Sequence, residues 1–101
     1  MNFAHSCYSL LSKVPRGKVT TYKALARALG TRAYRAVGNA MNKNPHDTNL
    51  VPCHRVVNSS GDIGGYAKGP AEKIRRLRAE GVEIHNGKID LEKYEFKFIQ
   101  T

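Results

Sequence analysis

The sequence predicts a mainly α-helical fold with short strands, organised as a winged helix-turn-helix-like domain. Three observations lead there. Apolar residues recur at helical spacing in three consecutive stretches of the first half. The second and third stretches are joined by a tight glycine-containing turn. The second half offers β-branched pairs and aromatics only in short runs between turn residues.

Phe3, Cys7, Leu10, Leu11 and Val14 fall at i, i+4, i+7, i+8 and i+11, the apolar stripe of an amphipathic helix that places Cys7 in the core. Pro15-Arg16-Gly17 ends it. Lys18-Val19-Thr20 is a short extended link, and Thr20 or Thr21 can cap a second helix. Along that helix Tyr22, Leu25, Ala26 and Leu29 repeat at i, i+3, i+4 and i+7, and Gly30 suits the left-handed position beyond its end. Thr31 is placed to cap a third helix, with Ala33, Val37, Ala40 and Met41 on one face and Arg32, Arg35, Asn39 and Asn42 elsewhere. Gly38 in mid-helix costs about 1 kcal/mol relative to alanine. Together with Ala36 it lets a backbone approach, and either a protein core or a nucleic-acid groove would use that space. Asn44-Pro45 ends the helix, because a residue before proline avoids the helical region.

Val51 to Val57 then reads as a short buried strand entered through Pro52, followed by strong turn chemistry at Asn58-Ser59-Ser60-Gly61-Asp62. Gly61 to Gly69 is a glycine-rich loop with one aromatic, Tyr66; its spacing fits neither a Walker A loop nor a dinucleotide fingerprint. Pro70 opens a fourth helix that runs to about Glu80 and stops at Gly81. Ala71, Ile74 and Leu77 are expected to face inward there, with Lys73, Arg75, Arg76 and Arg78 mostly solvated. Val82 to Thr101 reads as a small turn at Asn86-Gly87 between extended pieces, ending in alternating Tyr94, Phe96 and Phe98.

Bulk properties narrow the class. With 41% hydrophobic and 25% charged residues in 101, one globular domain over residues 1–101 is expected. No apolar run approaches the ~18 residues of a membrane helix, and no signal-peptide pattern opens the chain. A membrane partner is therefore not expected, and a cytoplasmic location is, intracellular with DNA and nuclear in a eukaryote. The two cysteines, 46 positions apart, make no disulfide framework, and no Cys/His spacing fits a metal site. The net charge of +9 is uneven: residues 1–46 hold eight basic side chains (Lys13, Arg16, Lys18, Lys23, Arg27, Arg32, Arg35, Lys43) and no acidic one. A one-sign field of that size favours a polyanion, most simply nucleic acid. The helix-turn-helix thus reads as a DNA-binding element.

The sharpest local feature is Pro52-Cys53-His54-Arg55-Val56. It holds a thiol at a rigid position with an imidazole next to it, and cationic or histidine neighbours favour the nucleophilic thiolate. Read singly, Cys53 would be a buried structural cysteine, Tyr22 a core aromatic, Arg35 a phosphate-binding or solvated arginine and Glu80 helix surface.

Taken together, these motifs resemble the O6-alkylguanine-DNA alkyltransferases (methylated-DNA–protein-cysteine methyltransferases) from roughly Phe3 to Gly81. Thr21-Tyr22-Lys23-Ala24-Leu25-Ala26 is similar to the start of that family's helix-turn-helix. Arg35-Ala36-Val37-Gly38 with Ala40-Met41 and Asn44-Pro45 is similar to its recognition helix and hinge. Pro52-Cys53-His54-Arg55-Val56 is similar to the acceptor motif, Gly61 to Tyr66 to the substrate loop, and Glu80-Gly81 to the end of the next helix.

The resemblance implies a suicide repair protein without cofactor. One alkyl group would pass irreversibly from O6-alkylguanine in double-stranded DNA to Cys53, with O4-alkylthymine as a further candidate substrate. It implies that His54 acts through a water as general base, oriented by Glu80, and that Asn44 ties the hinge to the active-site turn. Tyr66 would donate to the guanine ring, and backbone groups at Val56 and Ala67 would contact the flipped base. Arg35 would fill the gap left in the duplex, Tyr22 would press the adjoining phosphate, and Ala36 and Gly38 would admit a minor groove. The chain would be a monomeric catalytic and DNA-binding domain without the N-terminal domain of longer members. Tyr34, Asn39 and Lys68 depart from the family pattern. Alkyltransferase-like proteins, which bind alkylated DNA and transfer nothing, share the scaffold but typically lack the acceptor cysteine.

Overall fold

The computed structural model describes residues 3–43 and 50–98. In chain order its elements are helix α1 (Phe3–Leu11), strand β1 (Thr20–Thr21), helices α2 (Tyr22–Ala28) and α3 (Tyr34–Asn42), strand β2 (Val56–Val57), helix α4 (Pro70–Ala79) and the short helix α5 (Leu91–Tyr94). A mainly helical fold with short strands is what forms.

Local chemistry sets the helix ends. Thr21 is extended (φ −119°, ψ 157°) and its Oγ1 accepts from the Ala24 amide at 2.9 Å, so it caps α2. Gly30 follows Leu29 with φ +74°, a left-handed conformation that a side chain would resist. Thr31 does not cap α3, contrary to expectation. Its Oγ1 accepts from the Ala33 amide at 3.1 Å in a local turn, and Ala33 becomes an exposed N-cap instead of a core residue.

The two strands organise the packing. β1 runs parallel to β2 with Thr20 opposite Val56 and Thr21 opposite Val57. Successive strand residues face opposite sides, so the pair separates two apolar clusters. Val56 joins Cys7, Leu11, Val14, Leu25, Val37, Met41 and Cys53 in the cluster shared with the first three helices. Val57 joins Val19, Leu77, Val82, Ile84, Ile89 and Tyr94 in the cluster shared with α4 and the C-terminal segment. Tyr8 ties α1 to α3 by donating its hydroxyl to the Ala40 carbonyl at 2.7 Å.

Helix α4 buries a different face from the one expected. Leu77 is inward as anticipated, but Ala71 is exposed and Lys73, expected in solvent, is completely buried. Beyond α4, Asn86 and Gly87 (φ +53° and +74°) form a tight turn closed by two 3.0 Å bonds between His85 and Lys88. This hairpin lies on the loop after β2, with the Ile89 amide donating to the Gly61 carbonyl at 2.8 Å. A Cβ at Gly61 would stand 2.8 Å from the Ile89 carbonyl oxygen, so only glycine fits. The expected alternation of Tyr94, Phe96 and Phe98 is broken, because Asp90 caps α5 and Tyr94 ends it. Extended backbone resumes at Glu95, where the Phe96 amide donates to the Val19 carbonyl at 2.7 Å. Among the described residues no helix is long and apolar enough to cross a membrane.

Candidate active site

The segment expected as one strand turns at its centre. Cys53–Arg55 form a single 3-10 turn, and only Val56–Val57 pair with β1. The turn is closed by the Arg55 amide on the Pro52 carbonyl at 2.9 Å and by the Val56 amide on the Cys53 carbonyl. Three residues per turn send successive side chains about 120° apart. A strand would have put Cys53 and Arg55 on one face and His54 on the other. The turn lets His54 and Arg55 converge on one carboxylate while Cys53 points elsewhere.

That carboxylate is Glu80, the C-cap of α4. Its position follows from the way the helix ends. Gly81 (φ +92°) donates to the Arg78 carbonyl and Val82 to the Leu77 carbonyl, both at 3.0 Å, and Val82 packs with Leu77. This is a Schellman motif, in which glycine alone takes the left-handed position comfortably. Arg16 donates to the Ala79 carbonyl at 2.9 Å and secures the same terminus. Glu80 Oε2 then meets His54 Nε2 at 3.0 Å, and Arg55 grips Oε1 through Nε at 2.9 Å and Oε2 through Nη2 at 2.7 Å. The remaining Arg55 nitrogen donates to the Val14 carbonyl at 2.8 Å.

The charge states follow. Burial pushes the Glu80 carboxyl up, but the hydrogen bonds from Arg55 and His54 with their charges outweigh it and hold Glu80 below its ordinary value. An ionised Glu80 can only accept, so His54 Nε2 carries the proton and Nδ1 keeps the lone pair. His54 Nδ1 is buried and has no hydrogen-bond partner among the described residues. Glu80 raises the basicity of the imidazole but does not win. Burial is the largest influence on His54 and leaves it below its ordinary value, against the opposing pull of Glu80. The site therefore holds a neutral imidazole with an available lone pair near neutral pH, which is what a general base requires.

Cys53 is 8% exposed. A charge on its sulfur would act on Tyr8 from α1, Tyr22 from α2, Tyr66 from the glycine-rich loop and Lys73 from α4. Burial raises all three phenols above their ordinary value, so they stay protonated. The Tyr66 hydroxyl is buried without a hydrogen-bond partner among the described residues, a donor beside the thiol. Val56 is fully buried; its amide closes the turn and its carbonyl accepts from Lys73 Nζ at 2.5 Å. Ala67 is exposed in the same loop as Tyr66. Asn44 lies outside the described residues.

A cleft of about 720 Å³ is lined by Tyr22, Lys23, Tyr34, Arg35, Gly38 and the Asn58–Ser60 turn. It brings together Tyr22, Arg35 and Gly38, three of the four positions expected to meet DNA; Ala36 is half-buried and does not line it. At Gly38 the core offers no reason for the glycine among the described residues. A Cβ there would meet no atom of the described residues within 4 Å, so no packing among them requires the glycine.

Sequence reasoning missed Arg55 as the second holder of Glu80, although its place one residue after His54 was visible. It also missed Asn58–Ser60 as a wall of the cleft and Lys73 as a buried cation. Nothing in the helical periodicity of α4 distinguished Lys73 from its solvated neighbours. Among the described residues no group of three His, Cys, Asp or Glu side chains could hold a metal.

Residues 2–82 match the family described as "6-O-methylguanine DNA methyltransferase, DNA binding domain". The chain is 53% identical over 90 residues to a bifunctional methyltransferase/endonuclease of Picrophilus torridus, covering 88% of this chain and 30% of that protein. It is 48% identical over 82 residues to a methylated-DNA–protein-cysteine methyltransferase of Saccharolobus islandicus, covering 81% of this chain and 52% of that protein. The chain thus spans from about a third to about half the length of these relatives. Its fold is similar to that of S. pombe Atl1, solved in complex with damaged DNA containing O6-carboxymethylguanine, with a TM-score of 0.81, 38% identity and 94% of each chain covered. The matched length, the identities and the shared fold agree: the chain belongs to the 6-O-methylguanine DNA methyltransferase family, in its DNA-binding domain.

Proposed function

We propose that this chain repairs DNA by moving one alkyl group from O6-alkylguanine in duplex DNA onto Cys53, once and irreversibly. The observation that carries the reading is the arrangement of Cys53 beside His54, with His54 and Arg55 sharing Glu80. His54 Nδ1, through a water, takes the Cys53 proton. The thiolate then attacks the alkyl carbon in line, the S–C bond forms as the C–O6 bond breaks, and guanine leaves with the electron pair. Tyr66 donates its hydroxyl hydrogen bond to the ring as negative charge collects there. Backbone groups at Val56 and Ala67 contact the base.

A thiol this buried reaches no base that stays stacked, so the damaged nucleotide rotates out of the helix. Arg35 fills the space it leaves, Tyr22 presses the neighbouring phosphate, and the open face at Gly38 with Ala36 admits the minor groove. Intact-protein mass after incubation with duplex DNA containing O6-methylguanine tests this. The expected result is a gain of one methyl, mapped to Cys53.

A second reading, a non-catalytic sensor of alkylated DNA, is favoured by the match to Atl1 across 94% of both chains. The same experiment separates the two. Tight binding to the lesion with no change in mass would establish the sensor and overturn the transferase.

A further inference from the structure

Lys73 is completely buried, in the middle of a helix whose other basic residues are solvated or paired. Its ammonium donates to the Val56 carbonyl at 2.5 Å and to the Gly65 carbonyl at 2.9 Å. Among the described residues it has no carboxylate within ion-pair distance. A buried, hydrogen-bonded cation without a counter-ion is expensive to fold around, and an apolar side chain would fill the same space. The two carbonyls it joins suggest what it does. Val56 follows the Cys53 turn, and Gly65 immediately precedes Tyr66.

We propose that Lys73 is a positioning residue for the alkyl transfer: it fastens the loop carrying Tyr66 to the segment carrying Cys53 and holds a positive charge beside the thiolate. The proposal rests on the transferase reading given above. Among the described residues, four groups feel the Cys53 charge: the phenols of Tyr8, Tyr22 and Tyr66, kept neutral by burial, and the Lys73 cation. From the same helix Arg76 acts on His54 and Tyr66 and Glu72 on Tyr66, while the two pair with each other. On the other side of the turn, Arg55 and Glu80 face each other and His54 is neutral. Burial lowers Lys73 to about 8, opposed by the Cys53 charge, so it is mostly protonated at neutral pH. The pair is reciprocal: an ammonium that favours the thiolate is itself favoured by it.

The first test is the pH profile of Cys53 modification by iodoacetamide, followed by peptide mass to separate Cys53 from Cys7, in the unaltered protein and in Lys73→Met. Because this readout needs no DNA and no transfer, it fails or succeeds independently of the function proposed. The variant should move the Cys53 titration upward by about one pH unit. An unchanged profile in a folded variant overturns the proposal. If Lys73→Met does not fold, the unaltered protein still decides. The titration of Lys73, followed by NMR at its side chain, should shift to lower pH once Cys53 is capped with iodoacetamide as a neutral thioether. A titration indifferent to the cap overturns the charge coupling.

Discussion

Arg55 holds both oxygens of Glu80, at 2.9 and 2.7 Å, while its third nitrogen is anchored on the carbonyl of Val14. The guanidinium therefore fixes the plane of the carboxylate, and the carboxylate fixes His54. Arg55→Met should remove two of the hydrogen bonds that keep Glu80 ionised and leave a buried carboxylate with His54 alone. We expect a stability loss of about 3 kcal/mol in chemical denaturation. We also expect single-turnover transfer to slow at least about ten-fold, as the base loses orientation. Arg55→Lys should not restore the rate, since an ammonium cannot span both oxygens. A lysine variant equal to the unaltered protein would show that the planar grip does not matter.

Gly38 gives a prediction with two opposite signs. A Cβ at this position meets nothing within 4 Å, so Gly38→Ala should stabilise the isolated protein by up to about 1 kcal/mol through helix propensity. The same methyl should weaken DNA binding several-fold, because it enters the space kept for the groove. Thermal unfolding and a binding titration on one variant check both signs. Unchanged affinity would remove Gly38 from the interface.

For Arg35, binding and chemistry should come apart. If it only met phosphate, Arg35→Ala would weaken all DNA alike and lower the salt slope by about one contact. If it instead fills the vacated stack, as proposed, it offsets part of an unstacking cost of a few kcal/mol. The variant should then repair duplex O6-methylguanine far more slowly while reacting nearly normally with free O6-benzylguanine. A mispaired lesion, which is easier to extrude, should recover part of the rate. Uniform loss across all three substrates would assign Arg35 to the fold or the pocket.

Acid should destabilise the protein in two stages. His54 is held below its ordinary value by burial, despite Glu80. Below pH about 6.5 the unfolded chain therefore takes up a proton that the folded one resists, and stability falls. Glu80 is also held below its ordinary value, because Arg55 and His54 outweigh the effect of burial. Its contribution is present above the unfolded carboxylate value of about 4.3 and is lost as pH falls through the folded one. The melting temperature should drop first as pH falls below about 6.5 and again as it falls below about 4.3. His54→Gln should remove the first stage and Glu80→Gln the second. A melting temperature that rises on acidification from pH 7 would contradict both assignments.

Much of the helical scaffold was legible because it depends on local chemistry. Thr21 as a cap, Gly30 and Gly81 as left-handed ends and Pro70 at the start of α4 each act within one turn of chain, and the structure has them as read. What was not legible depends on distant partners. The Cys53 segment has the composition of a strand, but the convergence of His54 and Arg55 on Glu80, 25 positions beyond Arg55, accompanies a 3-10 turn. Lys73 carries the residue type of a solvated surface, and only the carbonyls of Val56 and Gly65 explain its burial. Thr31 had the right side chain for a cap but spent it on Ala33. In the candidate site, the motif pointed to Cys53 and His54, whereas the grip of Arg55 had to be seen.

The register of the two short strands has one more consequence. Thr21 both caps α2 and pairs with Val57, two residues after the turn that bears the thiol. Helix α2, one wall of the cleft, and the segment that bears the thiol are thus joined across a single rung of backbone. Such a joint transmits position and absorbs almost none. A protein seated on its partner through α2 cannot extend Cys53 outward to search, so the travel needed for any reaction falls on the substrate.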